Sequence, residues 1–255
     1  MGERRGGAGT ARRSRRRRLS VVGVLGEIFI TAGVFTLLFL GWQLWLNDII
    51  VGNEMRDQSE HQSALWQGNA STAEEDPSPP TPDEPPVADK PGSSGEVFAL
   101  MIVPRFGKNF YTPIAEGVGT TQVLNKGEIG HYPTSSLPGE VGNFAVAAHR
   151  TSFGKPFNNI ANLRVGDHIY IETADGWYQY GFRNLEYVRP TGVGVLLPVP
   201  QNDGATPGDR ILTMTSCNPL FSAAERIIAY SVYETFYPRT EGPPAEIAGT
   251  VLVGD

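Results

Sequence analysis

From residue 28 to residue 46, nineteen consecutive side chains carry no charge, and the chain enters that run from eighteen residues holding eight arginines and one acid. Crossing the hydrocarbon of a bilayer takes about 20 apolar residues. The apolar stretch as a whole, 19–46, is interrupted only by Glu27, is too long for the core of a secretory signal, and is followed by no Ala-x-Ala cleavage site. It is read as an uncleaved signal anchor. Short flanks rich in Lys and Arg resist translocation, so residues 1–18 are expected to stay cytoplasmic and everything after Asn47 to lie outside. Trp42 and Trp45 are expected at the outer interface, where an indole buries its ring and keeps its N–H wet. The arginine run could instead serve as a nucleic-acid tail. However, removing it leaves 13 of the 21 Lys and Arg against 26 of the 27 acids, and so acidic a body is not built to bind nucleic acid.

Beyond the anchor, residues 47–95 turn polar, and 71–95 holds seven prolines with several acids and serines. That composition favours an extended, solvated extracellular linker. Residues 239–255 include Pro243-Pro244 and read as a flexible tail. The remaining segment, 96–238, has the size of one domain. Its Val, Ile, Phe and Tyr runs, punctuated by Gly, Pro, Asn and Asp, predict strands at 97–103, 142–147, 168–173, 176–188, 210–215 and 227–236, with Ala174-Asp175-Gly176 as a hairpin turn. Residues 120–126 are the one short segment with helical character, capped by Thr120 or Thr121. Short strands at this spacing make an all-β barrel or sandwich.

The chain has one cysteine, Cys217, so no intramolecular disulfide forms and the thiol is either a small buried apolar group or kept for reactivity. It closes Thr213-Met214-Thr215-Ser216-Cys217 at the end of a predicted strand. His149 ends another, after Val141-Gly142-Asn143-Phe144-Ala145-Val146-Ala147-Ala148, and Arg226 opens the next strand along. Singly, each has a plain structural explanation. Jointly, they supply what acyl transfer through a thiol requires: a nucleophile, a proton-transfer partner and a cation for the oxyanion. No group of histidines and acids has metal-ligand spacing, and no metal or cofactor is expected.

These residues resemble the sortases, membrane-anchored cysteine transpeptidases of Gram-positive bacteria. The family carries Thr-Leu-x-Thr-Cys at a strand end, a histidine after an earlier strand and an arginine on the following one; here Met214 and Ser216 stand where leucine and threonine are usual. His131-Tyr132-Pro133-Thr134, Leu137-Pro138-Gly139-Glu140, Ala148-His149-Arg150 and Cys217-Asn218-Pro219 are similar to class E sortases of actinobacteria. The resemblance covers about 97–237. It implies a closed β-barrel of about eight strands with one or two short helices, preceded by a single transmembrane helix. It also implies cleavage of a Leu-Ala-x-Thr-Gly or Leu-Pro-x-Thr-Gly sorting signal between Thr and Gly. Cys217 would form the thioester, His149 would move the proton and Arg226 would hold the oxyanion or substrate backbone.

The partners implied are secreted proteins bearing C-terminal sorting signals and an amine acceptor, either a lipid-linked peptidoglycan precursor or a pilin, with the enzyme acting as a monomer. For substrate binding the resemblance points to Tyr111, Ser216, Thr215 and His131, although Tyr111 is equally readable as a half-buried barrel aromatic and His131 reads better as structural. Other cysteine acyl-transferases fit less well: an L,D-transpeptidase places arginine two residues after cysteine, and papain-like enzymes place cysteine before histidine. The non-enzymatic alternative is a catalytically silent, membrane-tethered β-barrel that binds surface proteins or cell-wall glycans.

Overall fold

The computed structural model describes residues 20–42, 46–70 and 84–251. The arginine-rich tail and Trp45 fall outside them. The chain divides into two units, 1–43 and 44–255. In the first, α1 (Val21–Gly41) is a 21-residue helix with no buried residue, long and apolar enough to cross a membrane. At ~1.5 Å rise per residue it measures about 31 Å, the thickness of a bilayer core.

The second unit is an eight-stranded closed barrel. Its strands are β1 (Val97–Ile102), β2 (Tyr111–Glu116), β3 (Ile129–His131), β4 (Gly142–Ala147), β5 (His168–Glu172), β6 (Gly176–Val188), β7 (Arg210–Asn218) and β8 (Glu225–Pro238), joined in the order β1-β2-β3-β4-β7-β8-β6-β5. The β2–β3 and β4–β7 pairs are parallel and the rest antiparallel. Alternate residues fill the interior: Met101, Ile114, Phe144, Val146, Ile169, Ile171, Tyr178, Tyr180, Leu212, Met214, Ile227 and Ala229 belong to one buried cluster, as a period of two demands of a closed sheet.

The strands at 142–147 and 176–188 form where expected, while β2 and β3 were not anticipated. Proline sits inside β2, a position that ordinarily argues against a strand, and β3 is three residues long. Residues 120–126 form turns with a 3₁₀ turn at Leu124–Lys126 in place of a helix.

Two expectations about the flanks are corrected. Residues 47–70 are not extended spacer but a helix, α2 (Asn47–Ala70), laid on the barrel exterior over β2. Its buried positions are Asp48, Met55, Ser59 and Ser63, with Trp66 packed on an outer apolar cluster. The spacing is helical, but polar residues hold much of the stripe, so no amphipathic pattern stands out. Residues 84–91 also lie on the barrel: the Ala88 N–H donates to Pro138 O at 3.0 Å and Tyr178 Oη donates to Pro86 O at 2.9 Å.

At the other end, the segment read as a flexible tail is packed through Arg239, Ile247 and Val251. Ile247 and Val251 join Leu100, Ile102, Tyr111, Tyr170 and Trp177 in that outer cluster. Within it, the Glu172 carboxylate accepts from Ser63 Oγ (2.6 Å), Tyr111 Oη (2.5 Å) and Arg239 Nη2 (2.8 Å). The Arg239 guanidinium lies over the Trp177 ring at 4.8 Å. One carboxylate thereby ties α2, β2 and the C-terminal segment to β5.

Candidate active site

Period-two alternation decides which side chains share a face. On β7, Leu212 and Met214 point into the core, so Thr213, Thr215 and Cys217 point outward; on β8, Ile227 and Ala229 point inward, so Arg226 points outward. On β4 and its continuation, Phe144, Val146 and Ala148 are inside, which turns Asn143 and His149 out. Register then fixes height along the strands. Cys217 pairs directly with Arg226 across β7 and β8, and Ala147 pairs with Thr215 across the parallel β4–β7 ladder. Two residues further on, His149 draws level with Cys217. The structure therefore brings Cys217, His149 and Arg226 together on adjacent strands at one end of one face.

Each side chain is held there. Cys217 is a half-buried free thiol. Its strand end is tied down by Arg150, which is buried, donates from Nη1 to Cys217 O at 3.2 Å and bonds Asn218 Oδ1. Below the cysteine, Asn143 Oδ1 accepts from Thr213 Oγ1 at 2.6 Å, and Asn143 Nδ2 reaches Val195 O and Leu197 O. His149 Nε2 lies 2.9 Å from Asn125 Oδ1, and its ring lies 5.2 Å from that of Phe153. Burial, which penalises the imidazolium, lowers the His149 pKa below its ordinary 6.5. Arg226 donates from Nη1 to Ala223 O and Glu225 O, at 3.1 and 3.0 Å.

Of the substrate-binding expectations, only Thr215 shares this face. Its Oγ1 donates to Val146 O at 3.1 Å and lies 3.2 Å from Tyr132 Oη. Ser216 turns the other way, and its buried hydroxyl donates to Ala148 O at 2.7 Å, so it strengthens the β4–β7 seam. Tyr111 lies on β2, three strands round the barrel from β7, with its hydroxyl on Glu172; burial and the adjacent carboxylate push its pKa far up. His131 is 2% exposed, clamped between Phe98 and Phe144. Its Nδ1 lies 2.6 Å from Glu116 Oε2 and its Nε2 3.0 Å from Ser135 Oγ. Both side chains are thus buried and hydrogen-bonded within the barrel wall, away from the face that carries Cys217.

Tyr132 and Arg150 stand in the motifs that carry the resemblance but were given no role from sequence, and Asn125 was not singled out. Tyr132 is adjacent to the histidine that was, and a period-two reading of β3 and its extension places the two on opposite faces. Among the described residues no group of histidine, cysteine and acids could hold a metal ion. A cavity of about 480 Å³ opens between α2 and the turns around Phe106 and Lys155, but none of Cys217, His149 and Arg226 lines it.

Residues 101–234 match the sortase domain family. The chain is 33% identical over 228 residues to sortase SrtE1 of Streptomyces coelicolor, an alignment covering 86% of this chain and 59% of that protein. The chain thus spans little more than half the length of this relative. Among solved structures, the SrtA sortase of Actinomyces oris superposes with a TM-score of 0.61 at 36% identity, covering 68% of this chain and 96% of that one. Sortase E1 from Streptomyces coelicolor with a tripeptide in the active site superposes with a TM-score of 0.56 at 36% identity, covering 60% and 97%.

Proposed function

The chain belongs to the sortase family, and from that premise we propose that it is a membrane-anchored cysteine transpeptidase. Its substrate is a Leu-Ala-x-Thr-Gly or Leu-Pro-x-Thr-Gly sorting signal on a secreted protein. The observation that carries this reading is the meeting of Cys217, His149 and Arg226 at one end of one face, set by register and alternation.

The chemistry follows from the groups present. The Cys217 thiolate attacks the Thr carbonyl carbon, and the negative charge moving onto the carbonyl oxygen is met by the Arg226 guanidinium, whose planar fork suits an oxyanion or a peptide carbonyl. As the C–N bond breaks, the His149 imidazolium gives its proton to the departing glycine amine, leaving a thioester. An incoming amine attacks the thioester carbonyl, His149 takes the proton from it, and the thiolate is released. Water in place of the amine gives hydrolysis. The acceptor is the amine of a lipid-linked cell-wall precursor or of a pilin lysine. A peptide lying over β4 and β7 meets Thr215 and Tyr132 next to the thiol, and the tripeptide in the active site of sortase E1 supports a peptide ligand here.

The test uses the full chain in detergent micelles, wild type and Cys217→Ala, with paired fluorogenic Leu-Ala-x-Thr-Gly and Leu-Pro-x-Thr-Gly peptides and an amine acceptor. Cleavage and transfer that vanish with the thiol are expected, and the ratio between peptides sets the preference. A folded protein that cleaves neither peptide would return the reading to a silent binding module.

A further inference from the structure

Four residues beyond His149 the backbone enters a conformation that it does not adopt unaided. Phe153, Gly154 and Lys155 all have positive φ, at 53°, 74° and 44°. Glycine enters that region freely, but a residue with a Cβ is disfavoured there, and two such residues in one turn persist only where the surroundings hold them.

The surroundings are α2. The Asp48 side chain, 5% exposed, accepts the Gly154 N–H on Oδ1 at 3.3 Å and meets Lys155 Nζ through Oδ2 at 3.3 Å. One turn further along α2, Val51 closes on the glycine itself: a Cβ on Gly154 would lie 2.9 Å from Val51 Cγ1. The turn held in this way presents the Phe153 ring to His149. Val51 also backs the second support of that histidine. A Cβ on Gly127 would lie 2.6 Å from Val51 Cγ1, and Gly127 closes the 3₁₀ turn that carries Asn125, whose Oδ1 meets His149 Nε2.

We propose that Asp48 is a positioning residue for His149, acting through the Phe153–Lys155 turn, so that the helix following the membrane anchor sets the placement of the proton-transfer group. Asp48 touches neither the thiol nor a substrate bound over it. It fixes the turn, the turn fixes Phe153, and Phe153 limits the orientations open to the imidazole. This inference rests on the assignment of His149 as the acid and base of the reaction.

The experiment compares full-length wild type, Asp48→Ala and Asp48→Asn in detergent micelles, with His149→Ala as the control. It measures kcat and KM for the sorting-signal peptide and records the ring C–H spectrum of the protein's four histidines. Misplacing a catalytic group costs rate rather than ground-state binding, so Asp48→Ala is expected to lower kcat about tenfold with KM within about twofold of wild type. It should also displace the His149 resonance and leave those of His131 and His168 in place. Asp48→Asn keeps an oxygen for the Gly154 N–H and should recover part of the loss. Wild-type kcat in Asp48→Ala, or a loss in which all the barrel histidines shift together, would overturn the proposal. Should Asp48→Ala not fold, Lys155→Gln removes the ion pair alone: a lower kcat with a displaced His149 resonance supports the proposal, and an unchanged pair of readings overturns it. Full activity in His149→Ala would instead remove the functional reading on which the inference depends.

Discussion

A thiol and an imidazole can share one proton in two ways, and the burial of His149 biases the choice. Because desolvation lowers the imidazole pKa, burial tilts the pair away from thiolate–imidazolium and toward the neutral form. The active state is singly protonated. On lowering the pH it is lost when the pair takes up a second proton, at the lower of the two macroscopic pKa values, and that value follows His149. The acid limb of kcat/KM should therefore lie below pH 6.5, the ordinary histidine value. Relieving the burial should move this limb upward: Phe153→Ser, which removes the ring 5.2 Å from the imidazole, should raise its midpoint. A pH–rate profile of the two proteins checks both statements, and an acid limb above 6.5 in the wild type would contradict the protonation scheme. The same shift bears on stability. The unfolded chain takes the proton more readily than the folded one, so the contribution of His149 to stability falls as pH drops through 6.5.

At the scale of elements, α2 and the C-terminal segment form a second layer around Glu172. Arg239 and Glu172 are 3% and 0% exposed, and their bond is 2.8 Å long. Arg239→Met keeps much of the packing against Trp66 and Trp177 but leaves the Glu172 carboxylate buried without its cation, a change that costs on the order of 3–5 kcal/mol. Chemical unfolding of the two proteins measures it, and a loss below 1 kcal/mol would show that Ser63 and Tyr111 satisfy the carboxylate alone. A fragment beginning at Glu96 lacks α2, the half of this layer that composition reads as extended spacer. The reason for the misreading is physical. Six of the eight strands announce themselves as Val, Ile, Phe and Tyr runs bounded by turn residues, with β2 and β3 missed, and Cys217, His149 and Arg226 sit at the ends of such runs, so most of the barrel and the candidate site were legible. The face of α2 that meets the barrel is made partly of Asp48, Ser59 and Ser63, whose burial depends on Gly154, Lys155, Tyr111 and Glu172, groups distant in sequence. The placement of Tyr111 and His131 away from the Cys217 face was hidden for a related reason: residue type marks an aromatic or a histidine as useful, but only register around the closed ring tells which face and which strand it occupies.

At the scale of the whole molecule, the charge flanking the apolar helix bears on which side of the membrane the barrel occupies. A 21-residue apolar helix follows the arginine cluster, and the positive flank is expected to remain in the cytoplasm, which sends the acidic remainder outward. The lone cysteine makes that orientation measurable without altering the protein, because Cys217 is the sole thiol of the chain and is half-exposed. A membrane-impermeant maleimide added to intact cells should label the wild-type chain, and Cys217→Ala should take up no label before or after lysis. Labelling that appears only after lysis would put the barrel on the cytoplasmic side, where secreted proteins and cell-wall amines do not meet it, and the transpeptidase reading would lose its substrates. Labelling of intact cells that is suppressed by prior incubation with a sorting-signal peptide would join the two halves of the argument, since a reagent and a substrate that exclude each other must reach the same thiol from the same side of the membrane.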